Sequence, residues 1–234
     1  MSDLKLPITW RRVEKSSLWL ILIFFLGSLF LLKARISGDG FSYYAWLRSA
    51  AFDRDFDFAN EYYDFNQGDY WTAREEITPL GVPANPFSIG PALLWLPWFA
   101  LAWIITVILG PALNLANDGY SYFYQYLIPF GNLIYVLLGS FFLLKTVKRD
   151  KTSSSSARWT LLGILFGSQL LYYLFSEPVG SHPLSFFIIS WYYWYWLKSD
   201  RFAELADVFL GNLIAGLMIL VRWQHAIFLL PVWG

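Results

Sequence analysis

LWLILIFFLGSLFLL, residues 18–32, decides the architecture of this chain. The run contains no charged residue, and Lys33 and Arg35 follow it directly. A helix crossing a bilayer needs roughly 17–25 apolar residues, and with Ser16 and Ser17 ahead of it the run reaches that range. No small-residue cleavage site separates it from Lys33, so it reads as an uncleaved first span rather than a removable signal. Working outward, further apolar segments cover about 87–109, 123–144, 159–175, 184–197 and 205–221. A last apolar run starts after Arg222 and stops at Gly234. The expectation is an all-α, polytopic transmembrane helical bundle of six or seven segments. Residues 1–234 would form a single membrane domain, the N-terminal portion of a longer chain, multi-pass in the plasma (inner) membrane.

Composition agrees. Hydrophobic residues make up 57% of the 234 and charged residues 15%, where soluble domains carry about 25% charge. Net charge is zero, which argues against a nucleic-acid partner. The chain has no cysteine, which excludes disulfides, thiolate nucleophiles and cysteine metal sites.

Basic residues favour the cytoplasmic side. The N-terminal tail with Lys5, Arg11, Arg12 and Lys15, the stretch 145–158 and the turn 198–201 therefore read as inside. The loop 36–86 and the turn 177–182 then lie outside. This arrangement makes segment 87–109 begin and end on the outer side, as a re-entrant or tilted element, unless the positive-inside rule fails at one loop and the segment crosses. Pro91 and Pro97 suggest a bend near its start.

The loop 36–86 holds nine Asp and Glu against three Arg. It opens with Ser37-Gly38-Asp39-Gly40-Phe41-Ser42-Tyr43-Tyr44. Asp39 lies between two glycines, which permit unusual dihedrals and close approach of a substrate. A carboxylate there can act as general base or hold a metal; an ordinary Gly-rich turn is the plainer reading. Tyr43, Tyr44, Leu47 and Ala51 share helical spacing, so 41–52 reads as an amphipathic helix at the membrane interface. Asp53, Asp55 and Asp57 alternate with other residues, which in a strand puts three carboxylates on one side. With Glu61 and Asp64 they offer oxygen ligands for a divalent cation, although a solvated acidic surface explains them more simply. Glu177 and His182 flank a turn with Pro178, Gly180 and Pro183, suited either to holding a phosphate or sugar hydroxyl or to capping the next helix. Arg222-Trp223-Gln224-His225 follows the 205–221 segment; an Arg at a span end pairs well with phosphate, or snorkels to the headgroups.

Gly38-Asp39-Gly40-Phe41-Ser42-Tyr43-Tyr44, the Pro-rich entry Asn85-Pro86-Phe87-Ser88-Ile89-Gly90-Pro91, and Arg222 ahead of a Leu-rich stretch ending at Pro231 together resemble the GT-C superfamily of polytopic glycosyltransferases. The nearest pattern is its protein-mannosyltransferase and aminoarabinose-transferase-like branch. The resemblance implies a polyprenyl-phosphate-linked sugar as donor and an extracytoplasmic acceptor. It implies Asp39 as the catalytic base and Arg222 as the group neutralising the lipid phosphate, with Glu177 and His182 as secondary contacts. Tyr43, Tyr44 and Gln224 complete the expected substrate-binding set. Where that family often has a second acid after the loop Asp, this chain has Gly40. The rival expectation is a non-catalytic membrane protein, a transporter or lipid-handling scaffold. Transporters carry charge at mid-span, whereas the charges here sit at segment ends.

Overall fold

In the computed structural model, which describes residues 15–65, 76–147 and 153–233, the chain is all-α. Helix α1 spans Lys15–Leu31, α2 Asp39–Arg48, α3 Gly90–Leu113, α4 Tyr122–Val147, α5 Ser154–Gly167, α6 Leu170–Phe175, α7 His182–Lys198, α8 Leu205–Val221 and α9 Leu230–Trp233. Among the described residues extended pairing is limited to an isolated bridge between Ile77 and Pro83. Two helices, α3 and α4, are long and apolar enough to cross a membrane; α1 and α8 are apolar but shorter. Lys5, Arg11 and Arg12 of the expected inner tail lie outside the described residues.

The helices have two common ends. Arg158 Nη1 donates to Ser16 Oγ at 2.8 Å, joining the start of α5 to the start of α1. Leu144, near the end of α4, packs into one cluster with Ala157 and Leu161 of α5. At the opposite end, the Ile36 N–H beyond α1 donates to Gln125 Oε1 in the first turn of α4 at 2.6 Å, and Arg222 beyond α8 meets His182 at the start of α7.

Helix α3 packs against both α4 and α8. Its first residue, Gly90, lies against the backbone of Leu220 and Val221 at the end of α8. Its last turn leads into the start of α4. It runs antiparallel to α4, with Leu94 bonded to Tyr135 at mid-α4 and Phe99 packed on Tyr124 near the α4 start. Pro91 sits in its first turn, where no intrahelical N–H is lost. The helix then continues through Pro97 and Pro111 to Leu113 instead of stopping at its start.

Three sequence expectations change. The segment 159–175 is two helices, not one. Ser168 adopts an extended conformation after Gly167; its hydroxyl donates to the Ile164 carbonyl at 2.6 Å and accepts the Leu170 N–H at 3.2 Å. One side chain thus ends α5 and starts α6. The expected amphipathic helix at 41–52 is instead buried nearly all round: Phe41, Ser42, Tyr43, Tyr44, Ala45, Leu47 and Arg48 are all enclosed, while Ala51, expected on the apolar face, is exposed. The chain beyond it covers the face that would have been polar, with Phe58 and Tyr62 packed into the same core. Finally, residues 53–57 form no strand. Asp53 ends a π-helical turn (Ser49–Asp53), and Arg54 takes a left-handed conformation with φ 62°. Asp55 and Asp57 accept backbone N–H groups two residues on, an Asx-turn pattern that spends them locally.

Candidate functional site

The Gly-Asp-Gly at the start of α2 is explained by two different constraints. Gly38 has φ 59°, a left-handed conformation that costs other residues energy. Gly40 is helical, but a Cβ on it would lie 2.2 Å from the Val179 carbonyl oxygen. The close approach anticipated from the sequence is therefore made by the chain's own 177–181 turn. That turn is held from beneath. Asn132 of α4 donates through Nδ2 to the carbonyls of Pro178 (2.7 Å) and Gly180 (3.2 Å), and its Oδ1 accepts from Trp95 Nε1 at 2.7 Å. Asn132 and Trp95 are completely buried, so every one of these bonds replaces a costly unpaired group.

A strap over residues 85–90 aligns the other side. Asn85 Nδ2 donates to the Ser42 carbonyl at 2.9 Å, and Trp46 Nε1 to the Phe87 carbonyl at 2.9 Å. Ser88 Oγ donates to the Val221 carbonyl at 2.9 Å. The strap thus fastens α2 to the end of α8, where Arg222 adopts an extended conformation and breaks the helix. It is the Pro-rich entry noted in the sequence, and it ties the helix that begins at Asp39 to the residue before Arg222.

Asp39, Tyr43, Ser181, His182 and Arg222 come together as a result. The protein packed around Asp39 excludes enough water to raise its carboxyl above the ordinary range, and the Arg222 charge pulls it part of the way back. The residue still keeps an open surface, as a group meeting an outside reactant must. Tyr43 is buried; burial holds its phenol above the ordinary range, offset by a hydrogen bond with Ser181 and by the Arg222 charge, with Asp39 adding to the rise. Arg222 Nη1 lies 3.3 Å from Nδ1 and 3.2 Å from Nε2 of His182. A guanidinium has only donors to offer, so His182 meets it as the neutral imidazole. The ring of His182 stacks on Tyr173, centroids 3.6 Å apart and planes 15° from parallel. His182 also lines a cavity of about 280 Å³ with Ser168, Gln169 and Phe186. Close by, His225 is buried and its Nδ1 is 2.9 Å from the Met218 carbonyl. A carbonyl accepts, so Nδ1 carries the proton and Nε2 is left as an acceptor.

The remaining expected contacts are placed elsewhere. Tyr44 is fully buried; its hydroxyl donates to the Gly119 carbonyl and its ring packs on Phe99 and Tyr120, so it belongs to the core. Glu177 does not face His182. It accepts from the Tyr172 hydroxyl at 3.3 Å, and its own carbonyl closes the turn by accepting the Gly180 N–H at 3.1 Å. Gln224 is exposed on the turn after Arg222. Among the described residues no group of three or more His, Cys, Asp or Glu is placed to hold a metal ion. The acidic run fails as a cation site because Asp53 and Glu61 are turned onto Arg48 and Asp55 and Asp57 onto the backbone.

Sequence reasoning missed Tyr173 and the supporting Asn132, and gave His225 only as a neighbour of Arg222. Asn132 had a readable signal, since it is an uncharged polar residue in the middle of an apolar run. No family model matches the chain, and no curated protein or solved structure shows significant similarity to it.

Proposed function

We propose that this is a multi-pass membrane enzyme transferring a glycosyl group from a polyprenyl-phosphate donor to an extracytoplasmic acceptor. The observation that carries the reading is that Arg222, at the end of α8, and Asp39, at the start of α2, both neighbour Tyr43, with Arg222 near enough for its charge to act on the Asp39 carboxyl without forming an ion pair. In the transfer step the acceptor hydroxyl loses its proton to the Asp39 carboxylate. The oxygen forms a new bond to the anomeric carbon as the bond from that carbon to the phosphate oxygen breaks. The electron pair leaves with the phosphate, and polyprenyl phosphate departs. Arg222 stabilises the charge arriving on that oxygen, an effect strongest in a site shielded from water. Neutral His182 leaves the Arg222 charge available to the phosphate, and Tyr43 lies near both charged groups.

The multi-pass arrangement draws support from surface and charge. Phe30, Ile23, Phe209 and Leu213 stand exposed on α1 and α8, large apolar faces that lipid would cover. Lys15, Lys145 and Arg158 gather at one end of the bundle, the cytoplasmic end by the positive-inside rule. Asp39 and Arg222 then lie at the outer end.

An apolar cavity of about 540 Å³ between α1, α5 and α6, lined by Leu20, Phe24, Leu161, Leu165 and Phe175 among others, favours a second reading: a lipid-handling scaffold with no chemistry. The two separate on one experiment. Protein reconstituted in liposomes is given a radiolabelled polyprenyl-phosphate sugar, and release of polyprenyl phosphate is followed. The enzyme reading expects Asp39→Asn to lose about 10²–10⁴-fold in turnover, the usual contribution of a general base, with donor binding kept. Unchanged release in Asp39→Asn would leave the scaffold.

A further inference from the structure

Arg48 closes α2 at the end opposite Asp39. Its Nη1 contacts Asp53 and lies 2.9 Å from Glu61 Oε1, and its Nε donates to the Asp118 carbonyl at 3.2 Å. Its guanidinium also lies over the Phe65 ring, 4.6 Å from the centroid. One cation therefore serves two carboxylates. Asp53 has further help from Asn60 Nδ2 at 2.8 Å. Glu61 does not: the residue is 0% exposed, and its Oε2 is enclosed with no hydrogen-bond partner among the described residues. An ionised oxygen sealed from water and left unpaired is among the costliest arrangements a fold can hold. The hydroxyl of Tyr120, from the segment joining α3 to α4, is likewise enclosed without a partner. The cluster thus carries two negative charges against one positive, with an acceptor site open inside it.

We infer that Glu61 is a buried proton-binding site, whose occupancy sets how firmly Arg48 holds the far end of α2. The groups facing it are Arg48 from α2, Asp53 from the π-helical turn, Tyr120 and Asp118 from the α3–α4 connection, and Tyr62 on its own element. Burial is the dominant influence, lifting the Glu61 carboxyl to about 7, with Arg48 acting against it and Asp53 with it. The proton therefore comes and goes near neutrality. The sign is set by the folded state binding the proton more tightly than the unfolded chain. Stability from this site is complete below the ordinary carboxylate range and is lost as pH rises through about 7. Above that, Asp53 and Glu61 compete for one guanidinium. Because α2 is a short rigid helix with Arg48 at one end and Asp39 at the other, release of the proton loosens the element that carries Asp39. Proton binding itself is independent of the transfer reaction; only its effect on turnover rests on the reading above.

The test is an infrared titration of the intact protein in nanodiscs, without substrate. A protonated-carboxyl band is expected to grow as pH falls from 8 to 6, and to be missing in Glu61→Gln. Amide hydrogen exchange in α2, corrected for its intrinsic pH dependence, should accelerate about tenfold from pH 6 to 8 in the wild type and stay flat in Glu61→Gln. Asp53→Asn removes the competing charge and should move the wild-type midpoint to lower pH, which keeps the test decisive if Glu61→Gln folds poorly. Absence of a titrating band in the wild type, its persistence in Glu61→Gln, or an unmoved midpoint in Asp53→Asn overturns the assignment.

Discussion

A methyl group on residue 40 would be driven into the Val179 carbonyl, whereas one on residue 38 meets nothing within 4 Å and suffers only from its backbone angle. The two glycines beside Asp39 should therefore respond differently. Gly38→Ala should cost about 1–3 kcal/mol, the penalty for a backbone region that only glycine adopts readily. Gly40→Ala should cost about as much or more through overpacking, and should also displace the 177–181 turn, lowering donor binding together with Tm in detergent. The same contact leaves no room for an acidic side chain at position 40 beside Val179. Titration gives a separate check. The Asp39 carboxyl is raised by its surroundings and lowered by Arg222, so the acid limb of the turnover–pH profile should lie above the ordinary carboxylate range. In Arg222→Gln the limb should move higher still, measured on residual turnover; a shift to lower pH would contradict that influence.

At the scale of elements, the apolar runs were legible because their length and composition leave helix as the only economical structure. Residues 205–221 and α8 coincide, and α1 and α4 differ from expectation by a few residues at their ends. What failed to show in the sequence was anything depending on a distant partner. The 159–175 run breaks at Ser168 because one hydroxyl can serve two helix ends. The 41–52 periodicity misled because a loop from farther along the chain buries its polar face. The convergence of Asp39 with Arg222 was legible as chemistry, an acid and a cation at two segment ends, but the means of bringing them together was not. Asn132 and the 85–90 strap supply that means. Asn132→Leu should strand two carbonyls and the Trp95 N–H, at about 1–3 kcal/mol for each group left unpaired. Its measurable outcome is a lower Tm with donor binding lost in parallel. Retained binding at a reduced Tm would show that the turn holds without its amide support.

For the whole molecule, the account requires one end of the bundle to hold chemistry and the other to hold positive charge. Because the chain lacks cysteine, single-cysteine substitutions can map the two ends without background. Leu80→Cys and Leu113→Cys, both at exposed positions, should react with an impermeant thiol reagent added outside intact cells. Ser155→Cys, exposed at the start of α5, should react only after the membrane is opened. Labelling of Leu113→Cys only from the inside would put the α3–α4 connection on the cytoplasmic side, away from Ile36, which bonds the α4 start.

The most direct measurement compares donor binding and donor cleavage in the same reconstituted protein, for the wild type, Asp39→Asn and Arg222→Ala. The account predicts that Asp39→Asn binds the polyprenyl-phosphate sugar normally and fails to release polyprenyl phosphate, while Arg222→Ala loses binding itself. Donor cleavage at the wild-type rate in Asp39→Asn, or undiminished binding in Arg222→Ala, would contradict it.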